Sequence, residues 1–180
     1  MKIIEEISSG IVLLIISTHN TDALNLSSTL LNILGLLDNP TSGELWFMDQ
    51  EVSRYTENNR TDLRNGNLGF VFQDFNLLDT FSVQDNIFLP LVLSGKSYEE
   101  MSGRLKPIAE KLGISQILGK FPYEISGGQK QRAAVARALI TKPQLVLADE
   151  PTGALDSRAS DELLRLFTQI NRDGQTILMV

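Results

Sequence analysis

The sequence predicts an α/β fold built on a mostly parallel sheet, and three observations carry that prediction. Short apolar runs alternate with segments of helical periodicity along the chain. One run, Leu145–Ala148, ends in the acidic pair Asp149-Glu150. A buried parallel strand delivers carboxylates in this way to the carboxyl edge of the sheet, where such folds place their ligands. Shortly before it, Ser126-Gly127-Gly128-Gln129 opens a helix through a glycine turn, whose N–H groups and positive dipole end suit a phosphate. A phosphate cradle followed at short range by a carboxylate pair points to nucleotide hydrolysis.

Taken in order, Ile11–Ile16 is a continuous apolar run and reads as a central strand. From Ser28, as N-cap, the pattern becomes helical, with Leu30, Ile33, Leu34 and Leu37 on one face and Asp38-Asn39-Pro40 as the stop. Glu44–Val52 reads as a hairpin turning near Met48-Asp49, and Leu68–Phe72 as a short strand running into Gln73-Asp74. A helical region follows. In it Ser97 and Glu100 are spaced as a capping box, and Met101, Leu105, Ile108, Ala109 and Leu112 form a stripe closed by Gly113. Pro107 either kinks that helix or marks its start. After Gly128 a helix turns Ala133, Ala136 and Ile140 inward and Lys130, Arg132 and Arg137 elsewhere. Leu163, Leu166, Phe167 and Ile170 mark the last helix, Gly174 its C-cap, and Gln175–Val180 a final strand.

The bulk numbers bound the function classes. At 180 residues and 20.0 kDa the chain can bury a sizeable core, and one domain over 1–180 is the expectation. A net charge of −6 argues against a nucleic-acid partner, which needs a basic surface. The absence of cysteine excludes disulfides and thiolate metal sites and fits the cytoplasm. The longest apolar run, Ile11–Ile16, is far short of the ~20 residues of a membrane span. Glu5 and Glu6 before it argue against a signal peptide.

With Ala154-Leu155-Asp156 following, these motifs together resemble the signature, Walker B and D-loop of ATP-binding-cassette ATPases. The likeness covers roughly Ser28 to Val180. Phe72-Gln73-Asp74-Phe75-Asn76-Leu77-Leu78 and Asp85-Asn86-Ile87-Phe88-Leu89-Pro90-Leu91 resemble the subgroup of macrolide-export, lipoprotein-release and bacitracin-type antimicrobial-peptide export ATPases. The resemblance implies a P-loop NTPase-type, RecA-like core (1–73 and 125–180) with an inserted helical subdomain (about 74–124). It implies ATP and Mg²⁺ as ligands: Ser28, Gln73 and Asp149 at the metal, Glu150 polarising the attacking water, and Gln73 coupling the site to the partner. Ser28, Thr29, Ser126, Gly127, Gly128, Gln129 and Asp156 would bind nucleotide. The partners would be a membrane permease subunit and a second nucleotide-binding domain, in a homo- or heterodimer. Two such domains close head to tail, each setting its signature against the nucleotide of the other. The subunit would be cytoplasmic, peripheral at the inner face of the membrane, and the stretch Asp74–Leu91 would help form the groove for a permease helix.

One part departs from the pattern. The Walker A loop needs a glycine-rich turn and a lysine, yet Ser17–Ser27 contains neither, and Ser27 stands at the lysine position. The family's adenine-stacking aromatic and switch histidine have no counterpart in this sequence; His19 reads as a solvated loop residue. Tight ATP binding is therefore not expected. Three further readings follow: a degenerate, non-hydrolysing partner, an incomplete copy of a normal subunit, and a soluble chromosome-maintenance or repair ATPase. Against the last stand the acidic charge and the lack of coiled-coil heptads.

Overall fold

Four parallel strands make the main sheet in a computed structural model that describes residues 13–15 and 21–180, with side-chain environments from residue 28 on. They are β1 (Leu13–Ile15), β4 (Leu68–Val71), β5 (Leu145–Ala148) and β6 (Thr176–Met179), in the order β1-β6-β5-β4. Leu145 pairs with Leu68 on one side and Thr176 on the other, and Leu13 pairs with Ile177. All four residues of β5 are buried, as a strand covered on both faces requires. The predicted α/β fold is thus borne out.

The alternation of side chains along the strands sorts the core into two layers. Leu68, Leu145, Leu147 and Leu178 point to one face, where they meet Leu31, Leu34 and Leu36 of helix α1 (Thr21–Leu34) and the turn after it. Phe47 and Val52, from the hairpin β2 (Trp46–Phe47) and β3 (Gln50–Glu51), complete that layer. Val71, Val146, Ala148, Ile177 and Met179 point to the other face, toward α3 (Val83–Leu93), α4 (Tyr98–Leu112), α5 (Gly127–Leu139) and α6 (Ser157–Arg172). The hairpin turns where expected, with Met48 and Asp49 at φ of 50° and 61°, the left-handed pair that a tight two-residue turn demands.

Four expectations are corrected. Ser28 does not cap a helix: α1 begins at Thr21, because Thr21–Ser27 contains no glycine or proline to stop it running toward the N-terminus. Leu37 is exposed, since the chain leaves the helix after Leu34 and turns through Leu36 at φ 57°, burying Leu36 instead. Gly174 lies one residue beyond the C-cap, which is Asp173; of the two readings of Pro107, the one inside the helix holds, within α4. Phe88, read as part of an apolar docking surface, is 4% exposed and packs edge-on to Tyr98. The expected ends Ile11, Val12 and Ile16 of the first strand lie outside the described residues.

Helix α2 (Glu57–Asn67) escaped the sequence reading because it carries no apolar stripe. Polar contacts fasten it instead. Thr56 caps it by accepting from the Asn59 N–H, buried Arg60 donates to Asn39 Oδ1 and the Ser53 carbonyl, and Arg64 donates to the Leu36 carbonyl at 2.6 Å. Asn86, fully buried on α3, does similar work for the loop before it. Its side chain accepts from the Leu78 N–H at 2.7 Å and donates to the carbonyls of Leu78, Phe81 and Ser82. Asn86→Ala strands those groups and should cost about 2–4 kcal/mol in urea denaturation, at the scale of unsatisfied buried polar groups. A loss below half that figure would mean the loop holds itself.

Lys111 of α4 pairs with Asp173 at the end of α6, joining the helical layer to the sheet's flanking helix. The Lys111 ammonium and then Gln169 hold the Asp173 carboxyl below its ordinary range. A depressed carboxylate stabilises the fold above its unfolded pKa and loses that effect as pH falls through the folded value. Asp173→Asn should therefore differ from the parent in melting temperature at neutral pH, and the difference should vanish in acid.

Candidate functional site

The carboxyl ends of β4 and β5 bring the site together. The ladder continues past β5: the Asp149 N–H donates to the Val71 carbonyl at 2.9 Å, and the Glu150 N–H to the Val180 carbonyl at 3.0 Å. The two acids are thereby fixed by backbone bonds to both neighbouring strands. Glu150 adopts φ 43°, a left-handed conformation unfavourable for a residue with a Cβ, and such positions cluster at functional sites. The turn it begins is closed by the Gly153 N–H on the Glu150 carbonyl at 2.9 Å.

Ser28 reaches this edge from α1. Its hydroxyl donates to Asp149 Oδ1 at 3.1 Å, across 121 residues of sequence. A hydroxyl and a carboxylate oxygen side by side are hard oxygen donors of the kind Mg²⁺ takes, so these two residues fit that ion. Thr29, the next residue, lies on the exposed side of the helix. The triphosphate half of the site does not fit. In a helix starting at Thr21, N–H groups from residue 25 onward are consumed by i→i−4 bonds. In residues 25–27, the part of that segment beyond the first helical turn, no N–H group is left open to a phosphate. Residues 16–20 lie outside the described part.

Gln73 leaves β4 one strand away, exposed, with its amide laid over Gly153. A Cβ on Gly153 would stand 2.9 Å from Gln73 Nε2, so glycine there is what lets the two loops touch. The turn at Ser126–Gln129 obeys a different logic. Ser126 Oγ accepts from the Gln129 N–H at 3.3 Å while Gln129 Oε1 accepts from the Ser126 N–H at 3.0 Å, a reciprocal capping box that starts α5. The N–H groups of Gly127 and Gly128 have no intrahelical partner. A Cβ at either would meet nothing nearer than Leu155 Cδ2 at 3.6 Å or Ala159 Cβ at 3.4 Å, and neither has positive φ. Packing within the chain leaves room for a side chain at both positions. Asp156, beside this turn, caps α6 by accepting from the Ala159 N–H at 2.8 Å.

Two functional-edge residues were missed in the sequence. Gln131 is fully buried on α5 and donates to the Pro151 carbonyl at 2.7 Å and the Phe72 carbonyl at 3.3 Å. Arg137 donates to the carbonyls of Phe75 (3.0 Å) and Asn76, two successive residues at φ 62° and 49°. Burial pulls its guanidinium below the ordinary range, though an arginine so placed stays charged. A glutamine in line with Ala134, Val135 and Ala138 on the buried stripe was the available signal for the first.

A family profile described as ABC transporter matches residues 27–153. The chain is 48% identical over 154 residues to the ABC transporter ATP-binding protein YxdL of Bacillus subtilis, covering 85% of this chain and 60% of that protein. It is 44% identical to the bacitracin export ATP-binding protein BceA of Halalkalibacterium halodurans, over 85% of this chain and 61% of that one. It is 46% identical to the macrolide export ATP-binding/permease protein MacB of Syntrophobacter fumaroxidans, over 85% of this chain and 22% of the relative. Among solved structures, the dimeric ATP-binding cassette MJ0796 in a post-hydrolysis state with ADP and Pi superposes with a TM-score of 0.75 at 37% identity, covering 85% of this chain and 68% of that one. The chain therefore spans about three fifths of the length of the first of these relatives.

Arg137 holds the carbonyls of Phe75 and Asn76 in the loop after Gln73, so Arg137→Met should lower stability by about 2–4 kcal/mol, the scale of lost hydrogen bonds from a charged donor. It should also speed exchange of the Asn76 amide well beyond that of β5. An unchanged urea midpoint would show the loop to be held by other means.

Proposed function

Because the chain belongs to the ABC transporter family, we propose that it is the ATP-binding, ATP-hydrolysing subunit of a bacterial export system, powering a separate membrane permease. The observation that carries this reading is the assembly of Asp149, Glu150, Gln73 and Ser28 at one sheet edge, with the Ser126–Gln129 turn on the adjoining helix. Relatives named for bacitracin and macrolide export support an antimicrobial peptide or related amphiphile as cargo. Among the described residues no helix is long and apolar enough to cross a membrane, which suits a cytoplasmic subunit peripheral at the inner face.

In this reading Ser28 and Asp149 hold Mg²⁺, which would neutralise charge on the phosphates. Glu150 takes the proton of the attacking water, and Gln73 orients that water and senses the permease. The N–H groups of Gly127 and Gly128, with Ser126 and Gln129, face the γ-phosphate held by a second nucleotide-binding domain, and Thr29 and Asp156 are further nucleotide contacts. The division into a core (1–73 and 125–180) and a helical unit (about 74–124) belongs to this proposal. The helical unit exposes Leu78, Phe81, Val92 and Leu93, and these supply the apolar surface for a permease helix in place of the buried Phe88.

A second reading is favoured by α1 running through residues 21–27: the chain gives its signature face to a composite site while its own phosphate-binding half is weak. Titration with Mg-ATP should show affinity reduced by at least ~10–100-fold against the same chain with Ser17–Ser27 rebuilt as a glycine-rich loop ending in lysine, the scale of one lost charge-assisted contact. Adding Glu150→Gln to the rebuilt chain should trap ATP and favour a closed dimer. Family-like hydrolysis by the unmodified chain would rule out the second reading; failure of the rebuilt chain to bind nucleotide would rule out the first.

A further inference from the structure

We infer that Gln131 is a positioning residue, which fixes the loop bearing Gln73 and the turn bearing Glu150 at one separation and ties both to the helix that opens at Ser126. Its single side chain links three segments far apart in sequence. The Nε2 group donates to the Phe72 carbonyl, one residue before Gln73, and to the Pro151 carbonyl, one residue after Glu150. Its own backbone lies on the second turn of α5, directly after the capping box.

Stability does not explain a glutamine here. It is fully buried, and its Oε1 has no protein donor, an arrangement that costs free energy compared with an apolar side chain. The Phe72 carbonyl also accepts from the Phe75 N–H at 3.3 Å, so only the Pro151 carbonyl depends on Gln131. A volume-matched apolar residue would lose both bonds and leave the Pro151 carbonyl unpaired, but it would also remove the orphaned Oε1, and these two unsatisfied groups offset each other. Its effect on global stability is therefore small, whereas its effect on the two loops is not. The turn after Glu150 starts from an unfavourable φ and is closed by two backbone bonds, from Gly153 and Leu155, so beyond the Gln73–Gly153 contact and the end of the β4–β5 ladder its hold on the Gln73 loop is the Gln131 amide. A donor that touches both loops sets their spacing, and hence the spacing of the water-orienting amide and the base.

The role rests on the assignment of Gln73 and Glu150 above, but its test needs no nucleotide and so fails separately from that assignment. In the unmodified chain, the side-chain NH₂ protons of Gln131 should exchange with solvent as slowly as the β5 backbone amides. Exchange as fast as at exposed glutamines such as Gln144 would overturn the proposal. In Gln131→Met, the melting temperature should stay near that of the parent, while the amides of Phe75, Gly153 and Leu155 exchange at least about tenfold faster, the scale of one net hydrogen bond. The β6 amides should not change. Unchanged protection at the two loops would reduce Gln131 to packing, and equal loss at all amides would reduce it to global stability; either result overturns the inference. If Gln131→Met does not fold, Gln131→Leu, which is apolar and lacks the donor, is read by the same comparison.

Discussion

Everything at the functional edge depends on β5 being hydrogen-bonded on both sides and buried on both faces. Such a strand has no freedom to shift register: a one-residue slip would turn Leu145 and Leu147 out of one layer and Val146 and Ala148 out of the other. Because the ladder runs on through the Asp149 and Glu150 amides, that rigidity is passed to the two carboxylates. A site on the end of a central strand is more sharply placed than one on a loop. The left-handed backbone at Glu150 is tolerated because the strand before it and the turn after it are both pinned.

Around this fixed point the other groups arrive by contacts of different kinds. Ser28 comes by a side-chain bond from the opposite layer, and Gln73 by stacking on a glycine. The Ser126 turn comes by a helix whose buried face, Ala133, Ala134 and Ala138, is small enough to lie close to β4. The approach is tight: a Cβ on Gly69 of β4 would stand 2.6 Å from the Ala138 carbonyl. Small residues on both sides thus bring α5 near enough for Gln131 and Arg137 to reach the loops beyond the strands. The helix does not merely cover the sheet; its polar side chains hold the sheet's outgoing ends.

The two segments proposed to meet phosphate are built to different degrees. At Ser126–Gln129 the side chains satisfy their own helix cap and leave the glycine N–H groups open, on a surface with room for an approaching group. On the opposite face of the sheet α1 extends seven residues ahead of Ser28, and a helix closes its N–H groups where a phosphate loop opens them. One chain thus carries a turn with open N–H groups together with a helical segment whose N–H groups are closed from residue 25 on.

Much of this was legible in the sequence. Continuous apolar runs gave β4, β5 and β6 within a residue of their ends, because strands buried on both faces admit nothing polar. Ser97 and Gly113 marked helix ends through local chemistry that acts over three or four residues. The acids after β5 and the glycine turn before α5 could be read because their spacing and residue types carry the chemistry themselves. What the sequence did not determine rests on contacts between distant segments. Helix α2 is held by Arg60 and Arg64 reaching other segments, Phe88 is covered by Tyr98, and Leu36 rather than Leu37 is buried because of one left-handed turn. Gln131 looked like one polar residue in a basic helix; only the tertiary structure decided that it is buried between two loops. Periodicity and local propensity report on the nearest few residues, whereas a buried amide takes its meaning from carbonyls 20 and 59 residues away.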